Sequence, residues 1–214
     1  MQRRRHSQAK KPVDKRGAIL DAALTEFAKH GFSGTSTNAI AARARVAKGL
    51  VFHHFDSKEA LFVAVVDDVA GYFGRRMDEF VKAAPADLFE RVLGWAQVKL
   101  EIIAEDPRRL RVLVNALSEA PVELKAEIRA RAESMARPRM ASLLQGVDTT
   151  RLRSGVTVQE AVDVLMLLSS GFESRFLPLM SARTDKGAGI LERAMADTRR
   201  MFELLRDGIY GARK

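Results

Sequence analysis

Apolar residues recur at three- and four-residue spacing along the 214-residue chain, which predicts helix after helix and no convincing strand. Ile19, Leu20, Ala23, Leu24 and Phe27 form one stripe. They predict a first helix that Asp14 can cap, that runs to about His30 and that stops at Gly31. Phe32 continues into the core after that turn, and one hydroxyl among Thr35 to Thr37 caps the next helix. From Thr37 to Asp56 the chain reads T-N-A-I-A-A-R-A-R-V-A-K-G-L-V-F-H-H-F-D. Ile40, Ala41, Ala44, Val46 and Val51 give two short helices an inner face each, joined by a tight turn. Ala41 is small where the two helices cross, and Val46 plugs the gap between them. The second helix, about 48–55, keeps Lys48, Gly49, Leu50, Phe52 and His53 on its outer or N-terminal side. This is the layout of a helix-turn-helix, whose second helix enters the DNA major groove.

Downstream, Ser57 caps a long helix that carries Leu61, Phe62, Val65, Val66, Val69 and Phe73 and reaches about Lys82. Further helices are predicted near 86–104, 107–119, 121–145, 157–181 and 187–209. Asp106-Pro107, Ala120-Pro121 and the stretches 146–155 and 184–189 separate them. Ala161 to Leu177 is apolar nearly all round, so it is buried on more than one face, inside a domain or between subunits. The last helix offers Ile190, Leu191, Ala194, Met201, Phe202, Leu205 and Ile209. The predicted fold class is all-α: a three-helix DNA-binding domain joined by a long helix to an all-helical domain for ligand binding and dimerisation. The predicted division is 1–13 as a disordered basic arm, 14–60 as the helix-turn-helix domain and 61–214 as the effector and dimer domain.

Composition narrows the classes. With 47% hydrophobic residues the chain can bury a core, and its lack of cysteine excludes disulfides and thiolate metal sites. No apolar run reaches membrane-spanning length and no apolar stretch follows the basic N-terminus, so a cytoplasmic protein away from membranes is expected. Charge is more telling by place than by sum. Residues 1–58 hold twelve Lys and Arg against Asp14, Asp21, Glu26 and Asp56, a net +8 of the chain's +9. A basic footprint confined to one end suits a polyanion there. For the arm holding Arg3, Arg4, Arg5, Lys10 and Lys11, contact with phosphates or a minor groove and a simple solvated tail both stand.

The run G31-F-S-G-T-S-T-N-A-I-A-A-R-A-R-V-A-K-G-L-V-F-H-H-F-D-S-K-E-A-L-F62, with the helix upstream of it, resembles the tetracycline-repressor (TetR) family of bacterial transcriptional regulators. The resemblance covers about residues 14–64; the remainder is compatible in length and helical pattern only. It implies DNA contacts from Thr37, Arg45, Ala47, Lys48, Gly49, Leu50, Phe52, His53, His54 and Lys58. Four departures from the family pattern stand among them. Arg45 takes a turn position that favours glycine, Ala47 replaces a capping hydroxyl residue, Leu50 stands for a polar residue and Phe52 for a tyrosine. Leu50 can touch a thymine methyl but cannot hydrogen-bond a base edge. His53 suits DNA, whereas His54 suits either a phosphate or packing against the first helix.

The same resemblance implies that the last two long helices pair with their copies in a homodimer, through Val162, Leu165, Ser169, Phe172, Phe176, Met201, Phe202 and Leu205. It implies an effector pocket enclosed by the middle helices, with Trp95, Leu113, Leu117, Met140, Met166 and Phe172 as apolar lining. Asn115, Glu119, Ser169 and Glu173 are then the polar candidates to orient a small-molecule effector, against the plainer reading of ordinary core and solvated polar faces. Two recognition helices related by a two-fold axis would read a palindromic double-stranded DNA operator. The helix from Lys58 to Lys82 would transmit ligand binding to the DNA-binding end.

Two other classes fit the sequence less well. An enzyme fares badly, since there is no nucleophile elbow, phosphate loop, dinucleotide fingerprint or metal-binding histidine pair, and no cofactor is expected. Gly31-Phe-Ser-Gly34 lacks the closing glycine of such a fingerprint, and Asp67 and Asp68 point apart on a helix. A non-specific architectural DNA binder is permitted by the basic arm but does not need so much buried helix.

Overall fold

The computed structural model describes residues 14–181 and 187–209, without the side chains of 170, 172–181, 187–188, 190–191, 194 and 207–208. Among these residues there are nine α-helices and no strand. They are α1 (Lys15–Gly34), α2 (Thr37–Ala44), α3 (Lys48–Phe55), α4 (Lys58–Val81), α5 (Leu88–Glu105), α6 (Pro107–Ser118), α7 (Val122–Leu144), α8 (Val158–Ser181) and α9 (Gly187–Ile209). The all-α expectation holds, and every limit but the end of α1 falls within a residue or two of the predicted one. The basic arm lies outside the described residues.

Side chains set most helix starts. Asp14 accepts from the Gly17 amide at 2.9 Å, Ser57 from Ala60 at 3.0 Å and Asp87 from Glu90 at 3.1 Å. Asp106 accepts from Arg108 at 3.1 Å, ahead of Pro107 in the first turn of α6. Of the three candidate hydroxyls before α2, Ser36 is the cap, accepting from Asn38 at 3.2 Å. Each such bond satisfies an otherwise orphaned amide and is worth about 1 kcal/mol. Thr35 is buried instead, its hydroxyl 2.7 Å from the Gly31 carbonyl oxygen.

The first helix does not stop at Gly31 but bends there. Gly31 has φ 64° and ψ −176°, a combination essentially restricted to glycine. One more turn follows and brings Phe32 back onto Phe62, with ring centroids 5.3 Å apart. Phe27 meets Phe62 edge-on at 4.8 Å, so three rings close the base of the N-terminal bundle.

Two cores result. The first joins Ile19, Phe27, Ile40, Val51 and Phe62 of α1–α4 to Val112 and Ala116 of α6 and to Leu124 and Ile128 of α7. The second packs Leu88, Phe89 and Val92 of α5 against Val162 and Leu165 of α8 and Phe202 of α9. The N-terminal bundle therefore shares its core with α6 and α7. Beside the second core, the 5%-exposed Arg91 has no carboxylate partner among its hydrogen bonds. Its guanidinium donates to the carbonyls of Leu143 at 3.0 Å and Gln145 at 2.6 Å at the end of α7, and to those of Ala84 and Pro85 before α5. Burial lowers its pKa from the ordinary arginine value.

The helical phase of α8 and α9 differs from the expected one. Val162, Leu165 and Phe202, expected at a subunit interface, are 1%, 0% and 1% exposed and face the chain's own core. Leu205 is half-buried against the same core. Among the described side chains of α8 and α9, the large apolar ones left outward are Val164, Leu167, Met201 and Leu204. Of the expected residues whose side chains are described, only Met201 belongs to that outer face. The side chains of Phe172 and Phe176 lie outside the described residues.

Candidate nucleic-acid interface and ligand cavity

The two short helices of the N-terminal bundle are held by a small set of contacts. Ile40 and Ala41 of α2 and Val51 and Phe55 of α3 are buried against α1 and α4. The amide of the half-buried Val46 donates to the Ala41 carbonyl at 3.0 Å, so the gap between the helices is closed as its position implied. Arg43 reaches across to Glu26 of α1 at 2.7 Å, and the Glu26 side chain is only 9% exposed. This ion pair was not foreseen, because nothing in the stripe of α1 marks Glu26 as inward.

Between the helices, Arg45 occupies the left-handed region at φ 54° and ψ 46°. That conformation costs a non-glycine residue roughly 1 kcal/mol. Ala47 starts α3 with no side-chain cap. Asp56, at φ 54°, is a second strained residue, just past the end of α3.

Around α3 the outward set is as expected. Arg45, Ala47, Lys48, Gly49, Phe52 and His53 are exposed, and Thr37, Leu50, His54 and Lys58 are half-buried. A Cβ placed on Gly49 would meet nothing within 4 Å, so the start of α3 is open to close approach. The Lys48 ammonium rests 5.9 Å from the Phe52 ring centroid. His54 packs beside Phe55, with centroids 6.2 Å apart. Lys58 does not project freely: its ammonium sits 4.6 Å over the Phe32 ring and 3.5 Å from the Ser33 carbonyl oxygen. It must leave those partners to meet a phosphate. The exposed groups form an edge with cations, the His53 imidazole and the apolar Phe52, suited to a polyanion with readable base edges.

The second feature is a cavity of about 450 Å³ among α4, α5, α6, α7 and α8. From the expected lining, Trp95, Leu113, Leu117, Met140 and Met166 reach its wall. Phe73 and Met77 of α4 and Ile128 and Met135 of α7 complete much of the apolar surface. Of the expected polar residues, Asn115, Glu119 and Ser169 do not reach the wall. Asn115 donates its side-chain amide to the Phe27 carbonyl at 3.0 Å. Glu119 lies against Gly31, its carboxylate 2.4 Å from where a Cβ on that glycine would stand. Ser169 is 3% exposed, with its hydroxyl unpartnered in the protein interior. The side chains of Phe172 and Glu173 lie outside the described residues. Among the described residues, the charged groups that do reach the wall are Asp67, Lys99 and Arg139, none of them expected there from the sequence. Lys99 and Arg139 follow the helical spacing of Trp95 and Met135, four residues earlier on α5 and α7, and that register is the signal that could have found them.

One helix borders both features. On one face α6 supplies Leu113, Ala116 and Leu117 to the cavity. On another it packs on α1 through Val112 and the Asn115 bond. At its start Arg108 bonds Asp21 at 3.0 Å and the Thr25 hydroxyl at 2.7 Å. Arg108 is itself held by Asp106 at 2.8 Å.

Among the described residues, a helix-turn-helix is presented on a helical framework, the geometry with which such motifs place their second helix in a DNA major groove. Residues 19–65 match the family model described as bacterial regulatory proteins, tetR family. The resemblance read from the sequence is thereby shown, and this segment is a TetR-family DNA-binding segment. An HTH-type transcriptional repressor of Mycobacterium tuberculosis is 44% identical over 77 residues, 36% of this chain and 39% of the relative. That match spans about two fifths of the relative's length. The HTH-type transcriptional repressor AcnR of Corynebacterium efficiens is 28% identical over 170 residues, 77% of this chain and 83% of the relative. Among solved structures, the fatty acid degradation regulator FadR of Bacillus halodurans has a TM-score of 0.71 at 20% identity, covering 93% of this chain and 98% of that one. FadR of Bacillus subtilis, solved in complex with stearoyl-CoA, has a TM-score of 0.67 at 20% identity, covering 91% and 99%. These likenesses extend the shared fold along the helices beyond the matched segment. No helix among the described residues is long and apolar enough to cross a membrane.

Proposed function

We propose that the chain is a homodimeric transcriptional regulator, a repressor in its basal action, that binds a palindromic operator through α3 and releases it when a small, largely apolar effector fills the cavity. Residues 14–60 serve as the DNA-binding unit and 61–214 as the effector and dimer unit. One observation carries the reading: α6 is at once a wall of the cavity and the bed on which α1 lies. A ligand that prefers one position of α6 must shift the population of α1 positions, and with it the spacing of two recognition helices in a dimer. This moves the transmitting role from α4 alone to α4 and α6 together. The relatives named as repressors support the basal action, and the Bacillus subtilis neighbour, solved in complex with stearoyl-CoA, supports ligand binding by a chain of this fold.

On this reading Lys48 and Arg45 meet phosphates, while Leu50, Phe52 and His53 face the groove. The decisive experiment is binding of the purified protein to its own upstream DNA against random duplex at about 0.15 M salt. A preference of at least about 10³ establishes a specific regulator. Equal binding to both duplexes, lost steeply with salt, establishes a non-specific DNA coat instead. Lys48→Ala is expected to weaken binding to every duplex, and Leu50→Ala to alter preference at one base position. Silence of both variants with binding retained would remove α3 from the interface.

A further inference from the structure

Arg139 is out of keeping with its surroundings. It stands on the wall of a cavity whose lining is otherwise almost wholly apolar, beside Met135, Met140 and Met166. Its Nε is buried without a hydrogen-bond partner. The nearest anion, Asp78, is 54% exposed and lies 3.4 Å from that nitrogen, while Nη1 donates to the Met135 carbonyl at 3.0 Å. The guanidinium is seated on Gly74 of α4: a Cβ there would come within 2.4 Å of Cζ. A side chain at position 74 would push the fork off its seat, so the glycine is what allows it to lie in the wall. Of the other charged residues on the wall, Asp67 is already paired with Arg131 at 3.0 Å. The Arg139 guanidinium is partly exposed and is paired with Asp78 through Nε alone, at 3.4 Å, so this pair does not fill its hydrogen-bonding capacity. A planar two-oxygen anion would complete its fork with paired, charge-assisted bonds.

We infer that the cavity takes an amphipathic organic anion, its carboxylate or phosphate held by Arg139 on the Gly74 seat and its apolar body laid along Trp95, Leu113, Leu117 and Met166. This rests on the cavity being a ligand site, as proposed above, and names the ligand's chemical class. A wholly apolar ligand would leave the fork unfilled, and a small hydrophilic anion would leave about 450 Å³ of apolar cavity unfilled.

The chain has a single tryptophan, Trp95, and it stands on the cavity wall, so intrinsic fluorescence reports occupancy directly. The full-length protein is titrated with dodecanoate, dodecyl phosphate, dodecanol and dodecylammonium, each below its micelle concentration. Dodecanoate or dodecyl phosphate is expected to change the Trp95 signal saturably and to bind at least about tenfold tighter than dodecanol. The order of the two anions tells carboxylate from phosphate. Arg139→Gln is expected to abolish the anion preference while leaving dodecanol binding unchanged. Gly74→Ala, which keeps the arginine but displaces it, is expected to do the same and decides the matter should Arg139→Gln not fold. Equal binding of anion and alcohol by the wild type, or an anion preference that survives both substitutions, overturns the inference. Operator release is read in parallel with an upstream duplex. Arg139-dependent anion binding without release would leave this inference standing and sink the regulatory reading instead.

Discussion

The side-chain amide of Asn115 donates to the backbone carbonyl of Phe27 at 3.0 Å, and so ties the middle of α6 to α1. Phe27 is fully buried, and its carbonyl lies four residues before the bend at Gly31. The bond therefore holds the face of α6 next to Leu113 and Ala116, on the cavity side, to the helix that carries the DNA-binding bundle. Asn115→Ala is expected to cost about 1 kcal/mol of stability, read by denaturant unfolding. It is also expected to weaken the coupling between effector and operator, so that saturating effector lowers operator affinity less than in the wild type. Asn115→Ala with undiminished release would exclude this bond from the coupling.

Arg45 combines a conformational cost with an exposed charge. Arg45→Gly is expected to raise unfolding stability by roughly 1 kcal/mol, because the left-handed backbone at φ 54° is open to glycine without penalty. The same change removes a cation from the turn beside α3 and is expected to lower operator affinity severalfold, with a shallower salt dependence. Opposite movements of stability and affinity would mark a residue kept for DNA. A gain in stability with unchanged affinity would leave the strain without a functional reason.

How much of this was legible in the chain depends on what kind of information each feature needs. The helices were readable because caps and breakers act locally: Asp14, Ser57, Asp106-Pro107 and Gly31 sit where the structure starts, ends or bends a helix. The turn residue Arg45 was readable because the motif fixes its backbone position. The phase of α8 and α9 was not, since a helix that is apolar nearly all round offers no single inward face. Val162 and Val164 are equally apolar, and only the packing of α5 decides that the first is buried. The polar residues of the cavity were misplaced for a similar reason. Asn115 and Glu119 lie on the α6 that lines the cavity, but at positions turned to α1. The register of Arg139 with Met135 points it to the cavity, but its seat on Gly74, 65 positions away in sequence and on another helix, is a matter of packing alone.

The corrected phase makes a sharp distinction at the proposed dimer face. Leu167 and Leu204 are 74% and 70% exposed, so a charge at either place disturbs little within one chain. Leu167→Glu and Leu204→Glu are expected to leave the helical content and unfolding midpoint of a dilute sample nearly unchanged. They are expected to shift the species in sedimentation from dimer to monomer and to lower operator affinity. Phe202→Ala, in contrast, empties a fully buried site and is expected to destabilise the fold by about 3–5 kcal/mol. A dimer unaffected by both glutamates would place the interface elsewhere.

Asp106 connects the joint of α1 and α6 to pH. Burial pushes its pKa up, but the hydrogen bonds and charge of Arg108 outweigh that and hold it below the ordinary value of 3.8. The folded state therefore binds this proton more weakly than the unfolded chain does. Its contribution to stability is fully present above the ordinary value and is lost as pH falls through the lower, folded one. Asp106→Asn keeps an oxygen for capping α6 but removes the charge that holds Arg108 against Asp21 and Thr25. The variant is expected to be less stable than the wild type at neutral pH, and the gap should narrow as pH drops below about 3.8. Unfolding free energies of the two proteins across that range test this. A gap that stays constant as the carboxylate is protonated would show that charge at Asp106 contributes nothing, and that Arg108 holds α1 without it.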